Sequence, residues 1–360
     1  MIPQNKTYLP PKEEYGEYLD YIWESGWVTN DGALLNKLET KLEEYLDAEY
    51  VRVVSSGTFA LQLAIRALDL EGPILTTPFS YVATTGALVW EKCDPIFADI
   101  DPETLTIDVK KARDAITPET GGVLSTHVFG VPCAVEALRS MAEAHNIPLI
   151  YDGAHAFGTE MGGRSLLTYG DVTAVSFHAT KLFHTVEGGA VITSDRDVAE
   201  QVELMRAFGH RGPNHLRSGI NAKNSELHAA MGLCLLPRIR DFIDTRRRMY
   251  ELYRSLLQDL PLDFQTVPSS CDYNYSYFPV LFPSSESRRV VRQRLADREI
   301  RTRRYFAPAL NQLPYVDGSE CPVAESTVNR VLCLPFFQEI TPEQIRRVAS
   351  TLHKVWPDTT

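Results

Sequence analysis

The sequence predicts an α/β fold, a mostly parallel central sheet with helices on both faces, followed by a smaller α+β C-terminal unit. Two observations carry that prediction. From Val51 onward, short β-branched apolar runs alternate with stretches of helical periodicity across short connections, the signature of repeated strand–helix units and a parallel sheet. After Asn221 the alternation stops, and helical stretches rich in Arg and Tyr take over.

The elements follow in order. Residues 13–24 read as a helix, followed by a turn at 27–32. The β-branched run 51–55 is the first strand, and Gly57 and Thr58 open a helix in which Leu61, Ala64, Ile65 and Leu68 recur at three- and four-residue spacing. Residues 74–78 form the next strand and 81–91 a helix. Strands at 95–100, 122–127 and 148–152 are separated by helices at 109–116 and 134–145. Two further apolar runs, 172–177 and 190–193, flank a polar turn. Helices are predicted at 225–236, Ile239–Leu257, 286–296 and Pro342–Val355, with a strand-like piece at 275–282. The division expected is a large unit at 1–240 and a small one at 241–360.

Composition narrows the function. The 360 residues carry a formal charge of −11, which disfavours nucleic-acid and anionic-membrane partners. No stretch of about twenty apolar residues is present, as a spanning helix would need, and the first residues lack the basic segment and apolar block of a signal peptide. The six cysteines are scattered without a C-x-x-C pair, and the spacing of His178 and His184 fits no common zinc pattern. A reducing cytoplasm and the absence of a metal are therefore expected.

In parallel sheets, ligands sit beyond the carboxyl ends of the strands. Ser55, Ser56, Gly57 and Thr58, then Asp152, then Ser176 all end predicted strands. A serine or threonine before a helix is either an ordinary cap or part of an anion cradle. Asp152 is either a satisfied strand-end carboxylate or the partner of a buried cationic ring nitrogen. Lys181 lies in the turn after a buried strand, where burial would depress its pKa and suit it to imine chemistry. Together these are the parts a pyridoxal phosphate enzyme needs.

In these motifs, in their order and in their spacing, the chain resembles the DegT/DnrJ/StrS sugar-nucleotide aminotransferases. The resemblance runs from the turn at 27–32 to Cys333, Leu334, Pro335, Phe336 and Phe337. Within that group the N-terminal wording and the lysine segment are most similar to the dTDP-4-amino-4,6-dideoxyglucose aminotransferases. The resemblance implies the fold of the type I pyridoxal 5′-phosphate (PLP)-dependent transferases, with the cofactor cycling through pyridoxamine 5′-phosphate. Lys181 would bond the cofactor aldehyde and move protons, and Asp152 would keep the pyridine nitrogen protonated. His155 stands where many relatives have Gln, facing the phenolic oxygen as a titratable and pH-sensitive group. Tyr81 would stack on the ring. Gly57, Thr58, Ser176 and the backbone N–H of Phe59 would hold the phosphate.

The same resemblance places Asn221 at the phosphate of a neighbouring subunit, implying a homodimer with shared active sites. Lys223, Thr29, Asn30, Arg303, Arg304 and Tyr305 are the candidate substrate-binding residues. The expected reaction moves an amino group from L-glutamate to a nucleotide-linked keto-deoxysugar in deoxyamino-sugar biosynthesis. The acceptor implied is dTDP-4-keto-6-deoxy-D-glucose, with 3-keto or UDP-linked sugars as alternatives. From a different class, a catalytically inert regulatory protein of the same fold would tolerate loss of Lys181 or Asp152, and a dehydratase of the family generally lacks the lysine.

Overall fold

Seven strands form the central sheet of the computed structural model, which describes residues 1–356; the last four residues of the expected 241–360 unit lie outside the described residues. The strands are β1 (Tyr50–Val54), β2 (Pro73–Thr76), β3 (Asp94–Phe97), β4 (Gly122–Thr126), β5 (Leu149–Asp152), β6 (Val172–Ser176) and β7 (Gly189–Thr193). Their spatial order is β1-β7-β6-β5-β4-β2-β3. The pairs from β3 through β6 are all parallel, and only β7 runs against both its neighbours. The sheet is mostly parallel, as expected.

Period-2 alternation explains why both faces are covered. Along β5, Leu149 and Tyr151 enter the apolar cluster on one face, with residues of α2 (Ala33–Leu46), α6 (Val135–His145) and α8 (Glu226–Leu235). Ile150, between them, enters the cluster on the other face, with α3 (Gly57–Ala67) and α7 (Arg196–Met205). The remaining helices before the C-terminal region are α1 (Lys12–Ser25), α4 (Val82–Trp90) and α5 (Val109–Ala115). C-terminal to the sheet, α9 (Ile239–Leu257), α10 (Ser285–Ala296), α11 (Pro322–Arg330) and α12 (Pro342–Val355) accompany an antiparallel pair, β8 (Pro279–Leu281) and β9 (Val331–Cys333). Residues of α9, α10, α12, β8 and β9 share a separate apolar cluster, which Ile2 from the other end of the chain completes.

Three helices, α2, α7 and α11, go beyond the sequence reading, and the capping of two of them explains why. The N-cap of α2 is Gly32, which has no side chain to offer. Its cap is supplied by the Glu226 carboxylate, which accepts from the N–H groups of Leu34 (2.9 Å) and Leu35 (2.8 Å). Likewise Asp99 accepts from Val323 and Ala324, both at 2.9 Å, at the start of α11. The strand expected at 275–282 shortens to Pro279–Leu281. Tyr275 has φ 51, a left-handed conformation that breaks an extended run, and the Arg246 guanidinium takes the Ser276 carbonyl at 3.0 Å.

Arg206 ties the N-terminal segment to the sheet edge. Its buried guanidinium pairs with Glu39 and with Asp31 (3.3 Å) and donates to the Val53 carbonyl (2.8 Å). Burial pushes the Glu39 carboxyl up, with Arg206 opposing the shift. Removing one member of such a pair leaves an uncompensated buried charge. Arg206→Met is therefore expected to cost about 3–5 kcal/mol of stability, measured as a lower urea midpoint at neutral pH.

Candidate active site

A cavity of about 230 Å³ opens at the carboxyl ends of β1, β5 and β6. Gly57, Thr58, Tyr81, Asp152, His155, Ser176 and Lys181 all line it, and Arg303, Tyr305 and Tyr277 reach it from the C-terminal region. Three strand ends far apart in sequence thus converge on one space, because β1, β6 and β5 lie close together in the sheet.

The cradle at the start of α3 is built by close approach. Ser56 is the N-cap, and its Oγ accepts from Phe59 N–H at 3.2 Å. The Gly57 and Thr58 N–H groups have no protein acceptor among the described residues, and they point where the helix dipole favours an anion. A Cβ on Gly57 would sit 2.7 Å from Ser176 Cβ, and one on Gly189 would sit 2.6 Å from Gly57 N. Those glycines let β6, β7 and the helix start crowd together.

Asp152 ends β5 and is buried. Its Oδ2 accepts from Thr84 Oγ1 at 2.7 Å and its Oδ1 from Ala154 N–H at 3.0 Å. Behind Thr84 stand Ser80 (2.7 Å) and then Thr126, which donates to Ser80 at 3.0 Å, so a line of hydroxyls holds the carboxyl in place. Burial pushes this carboxyl up, against the hydrogen bonds from Thr84 and Ala154 and the charge of Lys181. A carboxylate so placed calls for a cation beside it.

Lys181 sits in the turn between β6 and β7, its N–H donating to the His178 carbonyl at 2.9 Å. Its amine faces the cavity, where its one side-chain hydrogen-bond partner among the described residues is the Tyr277 hydroxyl at 3.4 Å. Burial lowers its pKa from 10.5 to about 8, with Asp152 opposing and Arg303 adding to the fall. A neutral, nucleophilic amine is therefore accessible near physiological pH.

His155 differs from expectation in its ionisation. Its Nδ1 accepts from Phe129 N–H at 3.1 Å, which assigns the ring proton to Nε2. The ring lies nearly parallel to Phe306, with centroids 5.6 Å apart. Burial, reinforced by Lys181, holds its pKa well below 6.5. His155 is a fixed neutral donor rather than a pH-sensitive group. Ring-labelled NMR is expected to show no His155 protonation between about pH 6 and 9; a midpoint within that range would contradict this assignment.

Of the other candidates, Arg303, Tyr305 and His178 line the cavity and the rest fall outside it. Phe59 N–H is taken by Ser56, and its ring packs against the cluster beside α3. Asn221 is exposed, and its Oδ1 accepts from Lys223 Nζ at 2.9 Å. Thr29 and Asn30 lie exposed on the loop before α2. Arg304 turns away to donate to the Val328 carbonyl at 2.9 Å. Arg303 remains at the mouth, its guanidinium 4.6 Å from the Tyr305 ring. His178 and His184 make local contacts, to Thr180 and to the Tyr8 carbonyl, both at 2.8 Å.

Sequence reasoning missed Ser80, Thr84 and Tyr277. The first two lay within or beside the motif around Tyr81, where their hydroxyls were legible but their target was not. Tyr277 carried no signal, because the segment before it looked like an ordinary strand.

The donor set fits a phosphorylated pyridine aldehyde: an anion cradle, a buried carboxylate for a ring N–H, a fixed N–H donor and an amine. Known proteins agree. At 38% identity over 355 residues, the chain is similar to the dTDP-4-amino-4,6-dideoxy-D-glucose transaminase of Shigella dysenteriae, covering 96% of this chain and 97% of that one. The Escherichia coli transaminase of the same name is 34% identical, covering 98% of each. The crystal structure of DesI in the presence of its TDP-sugar product superposes with a TM-score of 0.94 at 33% identity, over 98% of this chain and 92% of DesI. The family model for the DegT/DnrJ/EryC1/StrS aminotransferases matches residues 11–353, and the chain belongs to that family.

Proposed function

We propose that this aminotransferase moves an amino group from L-glutamate to dTDP-4-keto-6-deoxy-D-glucose, giving dTDP-4-amino-4,6-dideoxy-D-glucose. The observation that carries the reading is a lysine amine with a lowered pKa in one cavity with an anion cradle and a buried carboxylate. The names of the relatives support the sugar. Bound pyridoxal 5′-phosphate supplies an electron sink that acidifies the carbon bearing the amine. The protein supplies the rest. Lys181 Nζ would act as the base that takes the proton from the donor's α-carbon and as the acid that returns it. Asp152 would hold a proton on the ring nitrogen, His155 Nε2–H would donate to the phenolic oxygen, and Gly57, Thr58 and Ser176 would hold the phosphate. Tyr81, which lines the cavity, would flank the ring, and Arg303 would meet the diphosphate of the nucleotide.

Asn221 is exposed and does not line the cavity of its own chain, which supports the reading that it serves a second copy's site in a homodimer. The free cysteines suit a reducing cytoplasm. The separate apolar cluster of the C-terminal region supports a unit beyond about residue 240, while a further cluster that includes Phe79, Phe129 and Phe306 joins it to the sheet.

The test is incubation with L-glutamate and dTDP- or UDP-linked 3-keto and 4-keto sugars, with products resolved by NMR. A 4-amino product from the dTDP sugar is expected. A 3-amino product, or preference for UDP, would refute the assigned sugar. Retained cofactor with no transfer to any acceptor would point to an inert binding protein.

A further inference from the structure

We propose that Tyr277 is a positioning residue of the lysine site, a phenol that holds and aims the Lys181 amine whenever that amine is free. The inference rests on the reading of Lys181 as the reactive amine. The Lys181 Nζ lies 3.4 Å from Tyr277 Oη, and among the described residues neither group has another side-chain hydrogen-bond partner.

The phenol is held in place by parts of the chain that also build the pocket. Its ring meets the His155 ring edge-on, with centroids 4.9 Å apart. Asn274 donates to the His155 carbonyl at 2.7 Å and to the Phe157 carbonyl at 2.9 Å, while its Oδ1 accepts from Ser276 N–H at 3.1 Å. The buried Arg246 guanidinium, with no carboxylate partner among the described residues, holds the Ser276 carbonyl at 3.0 Å. The irregular backbone that interrupts the expected strand therefore has a consequence. It fixes Tyr277 to the loop that carries His155.

Protonation completes the case. Burial raises the Tyr277 pKa well above 10, with Arg246 and Arg303 opposing and Tyr305 and Cys333 adding to the rise. The phenol therefore keeps its proton at working pH. Its oxygen can accept from the Lys181 ammonium or from the neutral amine's N–H. In the second case the nitrogen lone pair stays free to face the cavity, which a base acting on a bound substrate requires. Tyr277 neither gains nor loses a proton overall. Its contribution is orientation.

The experiment compares Tyr277→Phe and Lys181→Ala with the parent enzyme. In cofactor-free protein, competitive acetylation of Lys181 across pH, read by mass spectrometry, reports its midpoint. Asp152, Arg303 and His155 face the amine and are unchanged. Loss of a charge-assisted acceptor should lower the midpoint by about 0.5–1 unit. In the holoenzyme, single turnover with L-glutamate should slow about 10- to 100-fold. The α-deuterium isotope effect should grow, and KM for the nucleotide sugar should hold steady.

A parent-like midpoint and turnover in Tyr277→Phe overturn the proposal. If Lys181→Ala itself transaminates normally, the underlying reading fails instead. Should Tyr277→Phe not fold, 3-fluorotyrosine at position 277 keeps the hydroxyl. Its fluorine shift should step at the Lys181 midpoint, and a flat trace counts against the contact.

Discussion

Lys181→Ala is expected to lower kcat for amino transfer by at least about 10³-fold while leaving the chain folded. Among the described residues lining the cavity, the Lys181 amine combines a pKa near neutrality with freedom from a structural ion pair. Removing it deletes one long contact to Tyr277 and no backbone capping bond, so circular dichroism and the unfolding midpoint should stay close to the parent values. The pH dependence follows from the same geometry. Burial places the amine near pKa 8, so its neutral fraction rises through that pH and then levels off. The rate at which cofactor-free protein captures pyridoxal 5′-phosphate, followed by absorbance in stopped flow, should rise with pH and reach a plateau above about 8. A capture rate already flat from pH 6 would mean an unburied or differently paired lysine. Normal turnover in Lys181→Ala would remove the mechanism altogether.

How much of this site was legible in the chain follows from how local its parts are. The strand-end residues Gly57, Thr58, Asp152 and Ser176 were readable because a buried strand announces itself by composition and its ligand-facing end by the polar residue that stops it. The parallel sheet followed from the same alternation. What stayed hidden depends on partners distant in sequence. Helix α2 starts at a glycine because Glu226 caps it from 192 residues away, and α11 starts where Asp99 waits for it. The tautomer of His155 depends on the N–H of Phe129, a residue with φ 57. Nothing in the wording of residues 127–131 foretells that conformation. Tyr277 was hidden for the same reason, since the carbonyls that set its position are held by Arg246 and Asn274 rather than by a strand ladder. α7 is the exception. Its capping Asp195 and the spacing of Val198, Ala199, Val202 and Met205 were local signals that could have been read.

Asp152→Asn separates what the site costs the fold from what it gives the reaction. In the cofactor-free protein the Asp152 carboxyl is raised above its unfolded value of 3.8, chiefly by burial. A carboxyl raised in the folded state favours folding when protonated, and that contribution is lost as pH rises through the folded value. At neutral pH the ionised form is therefore a strain on the cofactor-free fold. Asparagine is nearly isosteric, keeps an oxygen for Thr84 or Ala154 and carries no charge. Cofactor-free Asp152→Asn should consequently melt higher than the parent at pH 7, with the gap narrowing as pH falls toward 4. Activity should move the other way. Without the carboxylate nothing in the pocket favours a proton on the ring nitrogen, and kcat should fall by about 10²–10³-fold. Lys181 would also lose the one charge that holds its pKa up, so its acetylation midpoint should drop below about 8. Differential scanning fluorimetry, single-turnover kinetics and the Lys181 midpoint then form one test with three signs. A variant that melts lower, turns over normally or leaves Lys181 unmoved would show that Asp152 is an ordinary, satisfied strand-end carboxylate.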